Sequence, residues 1–333
     1  MFDDVALHNV GETVPVDGGQ KLVRVPESVR ADFNEKSRDE YQRPDGAEIR
    51  FVGDRLELTV SAPEGTCELL PFWGPFGAPA DEHVTVDDEP TTIELQRPER
   101  VTQVAPEHLD ERYVAPEVGR LLSFGNRLVV HDVTGDVRPP RDSELPDRRL
   151  LAYGTSITQG AVASGHHLSY VQQAARRLGA DAINLGSGGS AFCEAELADY
   201  LARREDWDLA VLSVSVNMIA AGFDAAEFRD RATYLVDTVA GAHPDRPVAA
   251  VTLFPFFADL CPGADTDGLA AAPEAYREAL RTAVAAADRE NLHLIEGPDL
   301  LQDPGGLSPD LLHPMDGGMI EMGRRLADRF DSL

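Results

Sequence analysis

Two rhythms of apolar and polar positions divide this chain near residue 145. Up to that point the runs are short and alternate with period two, as in AEIRFVGDRLELTVSA at 47–62, HVTVDDEPTTIELQ at 83–96 and RLLSFGNRLVVHDVTG at 120–135. Such alternation turns one face of a strand to a core and the other to water, and the Gly, Pro and Asp clusters between runs supply turns. No stretch of this half shows the period of an amphipathic helix, so residues 1–145 are expected to form an all-β sandwich or jelly roll. RPPRDSELPD at 138–147 has the proline-rich, polar composition of a linker between domains.

Beyond it, short apolar strands alternate with Ala- and Arg-rich helical patterns. RLLAY (149–153) is followed by HLSYVQQAARRL (167–178), AINL (182–185) by AELADYLARR (195–204), and LAVLSV (209–214) by AAEFRDRATYLVDTVAG (225–241). VAAVTL (248–253) precedes EAYREALRTAVAAADRE (274–290), and LHLIE (292–296) precedes a last helix near MIEMGRRLADRF (319–330). A βα series of this kind predicts a parallel, doubly wound, flavodoxin-like sheet over residues 148–333. Ligands of such sheets sit beyond the carboxyl ends of the strands.

Composition narrows the picture. At 333 residues and 43% hydrophobic, the chain can fill two cores. Asp and Glu number 58 against 30 Lys and Arg, a net charge of −28, and Lys21 and Lys36 are the only lysines. That imbalance suggests a halophile, because at 1 M salt the Debye length falls to about 3 Å and like charges cease to repel. It argues against nucleic acid, which calls for clustered Lys and Arg. Cys67, Cys193 and Cys261 form no CxxC pair, so no metal or redox role is expected and a reduced compartment fits. MFDDVALHNVGETV lacks the features of a secretory signal, and no apolar run approaches the roughly 18 residues a membrane helix needs. The expectation is a cytoplasmic protein without membrane contact.

Candidate chemistry lies in four short blocks: YGTSITQG from Tyr153, NLGSGG from Asn184, SVN from Ser215 and DLLHP from Asp310. All fall at the predicted strand ends or in the closing loop. A serine hydroxyl is a poor nucleophile until a base takes its proton. For Ser156 that base is His313, which stands three residues after Asp310 in a segment stiffened by Pro309 and Pro314. One turn would bring the carboxylate to Nδ1 and leave Nε2 facing Ser156. An acyl-transfer transition state also needs donors for its oxyanion. The candidates are the N–H of Ser156, the N–H of a glycine in NLGSGG, either Gly186 or Gly189, and the Asn217 amide.

Each residue also has an ordinary reading. Ser156 could cap a helix, Asp310 could sit in a turn, and Asn217 could satisfy backbone at the end of strand LAVLSV. The glycines of NLGSGG could cradle a phosphate, but no GK[ST] follows. His166 and His167 are adjacent, point different ways and lack ligand partners, so no metal is expected; contact with substrate is open to them. Phe254–Phe257 (FPFF) could line an acyl pocket or the core, and Trp73 could stack on a sugar or plug the first domain.

Taken together, the four blocks resemble the signature of the SGNH, or GDSL-type, serine hydrolases, over residues 149–333. The resemblance is closest to a subgroup of GDSL-like acyl esterases in which the first block reads GxSITxG and the third ends in Asn-Met, as Asn217-Met218 does. Many members have Asp where this chain has Thr155, Gly where it has Ser215 and Asp where it has Met218. The resemblance implies a Ser156–His313–Asp310 triad and an acyl-enzyme, with Ser156, Gly189 and Asn217 as the oxyanion hole. Gly189 is preferred because the family's glycine stands five residues after the Asn of its block. It implies no cofactor, a small-molecule or carbohydrate ester as substrate with a short, acetyl-like acyl group, and an N-terminal β-sandwich like a carbohydrate-binding module. The alternatives are an acyltransferase and an inactive carbohydrate-binding protein. With the whole site beyond the linker, the first half is expected to fold by itself and to select substrate.

Overall fold

The alternation of the first half is realised as two antiparallel sheets. A computed structural model describes residues 2–110, 112–261 and 273–333. One sheet runs in the order Ala6–His8, Glu48–Val52, Val118–Gly125, Cys67–Trp73 and Phe76–Gly77, with Val84–Val86 also paired to Cys67–Trp73. The other runs Glu12–Val16, Gly19–Val23, Leu128–Thr134, Arg55–Ser61 and Thr91–Gln96. Period two decides what each residue does: Leu56, Leu58 and Val60 are fully buried, whereas Arg55, Glu57 and Thr59 between them are not. Ile49, Phe51, Leu69 and Leu121 of the first sheet share one apolar core with Leu22, Leu58, Ile93 and Val130 of the second. Each such side chain contributes about 1.5–3 kcal/mol on burial.

The second half is mixed α/β. Among its described residues five strands are all parallel, in the order Ala180–Gly186, Arg148–Gly154, Leu209–Ser213, Val248–Val251, Leu292–Ile295. In chain sequence that order is 2-1-3-4-5, the flavodoxin-like one. Both faces are covered, so successive residues enter different cores. Leu151, Tyr153, Ala210 and Leu212 pack toward the helices Ala195–Arg203, Ala225–Ala242 and Pro273–Ala287, while Leu150, Ala152, Leu209 and Val211 pack toward Tyr170–Leu178 and Asp316–Phe330. Among the described residues no helix is long and apolar enough to cross a membrane.

The two halves are not independent, contrary to the expectation from the linker. Val25, Phe33 and Tyr41 belong to the same core as Leu151 and Leu185. Arg24 is buried and donates to the Asn184 and Gly186 carbonyls at 3.1 and 2.8 Å, and His8 Nε2 donates to the Ala182 carbonyl at 2.8 Å. Arg50 grips Asp181 with both guanidinium branches, at 2.7 and 2.9 Å, and also binds Glu48. Burial pushes the Glu48 carboxyl up, but Arg120 and Arg50 outweigh it and hold that group well below the usual range. Removing one partner from such a buried network costs about 3–5 kcal/mol. The linker is itself pinned: Arg138 pairs with Val52 backbone to backbone, and its guanidinium binds Glu144. The structure also contains a helix in the first half that no apolar period announces, Glu35–Glu40.

Candidate active site

The strand Arg148–Gly154 ends under a single helical turn, Ser156–Gln159. Thr155, not Ser156, is its cap, accepting from Ile157 N. Ser156 is therefore the first helical residue, with an N–H that has no intrahelical acceptor and a hydroxyl free of capping duty. That hydroxyl lies 2.8 Å from His313 Nε2, and His313 Nδ1 lies 2.7 Å from Asp310 Oδ2. With Nδ1–H donated to the carboxylate, Nε2 is left to accept the serine proton.

The acid–base segment is a closed loop. Ser308 N donates to the His313 carbonyl at 2.8 Å, Leu311 N to the Ser308 carbonyl at 2.9 Å, and Leu307 bridges to Pro314. Asp310 Oδ1 accepts from Ser308 Oγ, Leu312 N and His313 N at 2.6, 2.8 and 2.9 Å. Burial raises the Asp310 carboxyl, but the bonds from Ser308 and His313 prevail and hold it far below the usual carboxylate range. Asp310 is thus held as an ionised acceptor for the imidazole Nδ1–H. Ser308 escaped the sequence reading although it lies two residues from Asp310.

Two glycines compete as oxyanion donor, and their surroundings differ. Gly186 spends its N–H on Asn184 Oδ1 at 2.9 Å, and a Cβ there would collide with the Gln159 backbone, so this glycine permits close packing. Gly189 has φ +66°, and its N–H has no acceptor among the described residues. Asn217 sits in the helix Val216–Ala220 and not at the end of the strand, which stops at Ser213. Its Oδ1 accepts from Ala191 N at 3.2 Å, which orients the amide and leaves its NH2 as the unengaged end. The residue before that helix, Ser215, has φ +122° and a buried hydroxyl without a partner among the described residues.

The first half reaches into this site, which the sequence did not disclose. Asn34 caps the helix Glu35–Glu40 by accepting from Ser37 N, and its own N and Nδ2 donate to Glu194 Oε1. Asn34 Nδ2 and Ser37 Oγ both donate to the Ser190 carbonyl. Glu40 Oε2 accepts from Gln159 Nε2 at 3.0 Å, and Asp45 accepts from the same nitrogen. The loop of residues 187–194, which carries the candidate Gly189, is therefore clasped between the parallel sheet and this short helix. FNEKSRDEY carries no apolar stripe; the capping residue Asn34 was the available signal.

Other candidates take ordinary places. Trp73 is 7% exposed and packs edge-on to Phe51, a core plug. His166 is fully buried against Phe124 and cannot touch substrate, and His167 packs on Phe72. No group of three metal-ligating side chains occurs among the described residues. Phe254 and Phe256 are buried, and with Pro255, Thr155, Val214 and Leu312 they line a narrow apolar crevice of about 10 Å³ next to the turn that carries the serine. Core packing and pocket lining therefore coincide there.

Residues 147–331, more than half of the chain, match the model of the GDSL-like lipase/acylhydrolase family. No curated protein matches the sequence. Among solved structures, a salicylyl-acyltransferase from a tetracycline biosynthetic pathway is similar with a TM-score of 0.75 at 16% identity, over 99% of this chain and 94% of that one. A family two carbohydrate esterase from Clostridium thermocellum, in complex with cellohexaose, is similar with a TM-score of 0.63 at 14% identity, over 98% of each chain. An acetyl xylan esterase from Butyrivibrio proteoclasticus follows at 0.60 and 11% identity, over 100% and 96%. At these identities the likeness is one of fold, and it spans both halves of the chain.

Proposed function

The chain belongs to the GDSL-like lipase/acylhydrolase family, and we propose that within it this protein is a serine esterase acting through Ser156, His313 and Asp310. The observation that carries the reading is the continuous hydrogen-bond line from Ser156 Oγ through His313 to Asp310. Ser156 Oγ attacks the ester carbonyl while its proton passes to His313 Nε2, and Asp310 steadies the imidazolium. The oxyanion is received by the N–H groups of Ser156 and Gly189 and by Asn217 Nδ2. His313 returns the proton to the departing alcohol, leaving an acyl-enzyme. Water activated by the same imidazole then releases the acid.

A short acyl group, acetyl on a carbohydrate, is the substrate favoured, and the carbohydrate esterases of like fold support it. Residues 1–145 form a jelly-roll-like sandwich in this reading, and residues 148–333 the catalytic domain. The acyltransferase of like fold supports a second reading, in which an alcohol other than water takes the acyl group. The test is labelling by a fluorophosphonate together with turnover of a short-chain aryl ester, with and without added alcohols. Ser156→Ala is expected to abolish both labelling and turnover, and Asn217→Ala to lower kcat by roughly 10²–10³ with a smaller change in KM. Turnover by Ser156→Ala within tenfold of the parent would overturn the assignment.

A further inference from the structure

Lys36 stands in the helix Glu35–Glu40, which clasps the loop of residues 187–194. Its ammonium occupies the space that a Cβ on Gly189 would take. The chain's other lysine, Lys21, donates to Gln42 at 2.7 Å. Lys36 has neither a hydrogen bond nor an ion pair among the described residues. Nearby acids turn elsewhere: Asp39 pairs with Arg127, and Glu40 with Arg43 and Gln159. Glu40 Oε2 comes within 3.5 Å of a Cβ built on Gly188, so its answered carboxylate lies close to the loop without neutralising Lys36. In the order of the strand ends, the Gly189 loop lies on one side of Ser156, and the apolar crevice of Phe254, Pro255 and Leu312 on the other.

We propose that Lys36 is a specificity-determining residue, which receives an anionic group, a carboxylate or a phosphate, carried by one half of the ester substrate while the uncharged half lies toward the apolar flank. The proposal rests on the ester reading above. A chain of charge −28 repels anions at a distance, but that field is screened beyond a Debye length of about 8–10 Å at ordinary salt, whereas a direct contact with the exposed Lys36 ammonium lies well inside that length. One unanswered ammonium beside the candidate oxyanion donor therefore sets the sign of charge admitted there.

The test uses the full chain and two pairs of esters that differ only in charge. 4-Acetoxybenzoate and its methyl ester carry or lack an anion on the alcohol; monophenyl glutarate and methyl phenyl glutarate do so on the acyl group. Lys36→Met is expected to lower kcat/KM about tenfold for the anionic member of one pair, to leave both neutral esters within about twofold, and to be rescued by Lys36→Arg. Equal loss on all four esters would make Lys36 a support for the oxyanion or the loop and overturn the proposal, as would no change on any. A readout free of turnover separates this from failure of the ester reading. Calorimetric binding of 4-hydroxybenzoate or glutarate to the Ser156→Ala chain should weaken about tenfold when Lys36→Met is added. Unchanged binding of both anions overturns the proposal even if no ester is turned over.

Discussion

Ser215 shows how one residue can carry strain on behalf of a neighbour. At φ +122° a side chain is disfavoured, and its hydroxyl gains no compensating bond from a described residue, yet this backbone turn is what aims Asn217. Such conformations cost about 1–3 kcal/mol for a non-glycine residue. Ser215→Gly is therefore expected to stabilise the protein by about 1 kcal/mol, roughly 2–4 °C in Tm, with esterase activity kept. A melt showing no gain would mean that the turn is unstrained. His166 makes the complementary case. Burial pushes its imidazole from 6.5 down to about 4. Between those values the unfolded chain binds a proton that the folded one refuses, so stability falls as pH drops from 6.5 to 4, by up to about 3 kcal/mol. His166→Phe should flatten that part of the pH–stability curve as read by urea unfolding. Asp310 acts lower on the scale: its depressed carboxyl favours the folded state above the ordinary carboxylate pKa, and that contribution is lost only as pH falls further.

At the scale of elements, the decisive contact is between a six-residue helix and a loop. Glu35–Glu40 is too short to be stable alone and exists by virtue of its Asn34 cap and its docking on residues 187–194. The dependence is mutual, because the loop holds Gly189 in its left-handed conformation and orients Asn217 through Ala191. Replacing both Asn34 and Ser37 by Ala removes the shared bonds to the Ser190 carbonyl. The double variant is expected to lose about tenfold in kcat, since small displacements of a reacting geometry are costly, while its Tm falls by only a few degrees. Aryl-ester kinetics beside a thermal melt checks this; a large drop in Tm with kcat unchanged would assign the helix to stability alone.

For the whole molecule, the interface and the surface charge each make a claim. Residues 147–333 expressed alone would leave Asp181 without Arg50 and bare the surface now covered by Val25, Phe33 and Tyr41. That fragment is expected to be poorly folded by circular dichroism, and a cooperative melt near that of the full chain would contradict the shared core. The surplus of carboxylates gives the second prediction. At low salt they repel one another over a Debye length of about 30 Å at 0.01 M, against a net stability of only about 5–15 kcal/mol. Melts from about 0.05 to about 3 M KCl should show a rising Tm; a flat profile with full activity at the low end would remove the link between acidity and brine.

The sequence by itself determined what depends on neighbours along the chain. Alternation at 55–61 and the double-faced runs at 150–153 and 209–212 fixed strands and their buried faces, because period two is a local property. Asp310 and His313 were legible for a similar reason: three residues apart, one turn joins them. Contacts between Lys36 and Gly189, Arg50 and Asp181, or Asn34 and Glu194 join residues more than a hundred positions apart. No pattern in either segment names the other. Their meeting follows from the packing of the antiparallel sheets against the strand Ala180–Gly186, and only the tertiary structure decided it. Gly186 and Gly189 show the same division: the motif spacing already favoured Gly189, but that the Gly186 N–H is taken by Asn184 while the Gly189 N–H has no acceptor among the described residues is a fact of the tertiary structure.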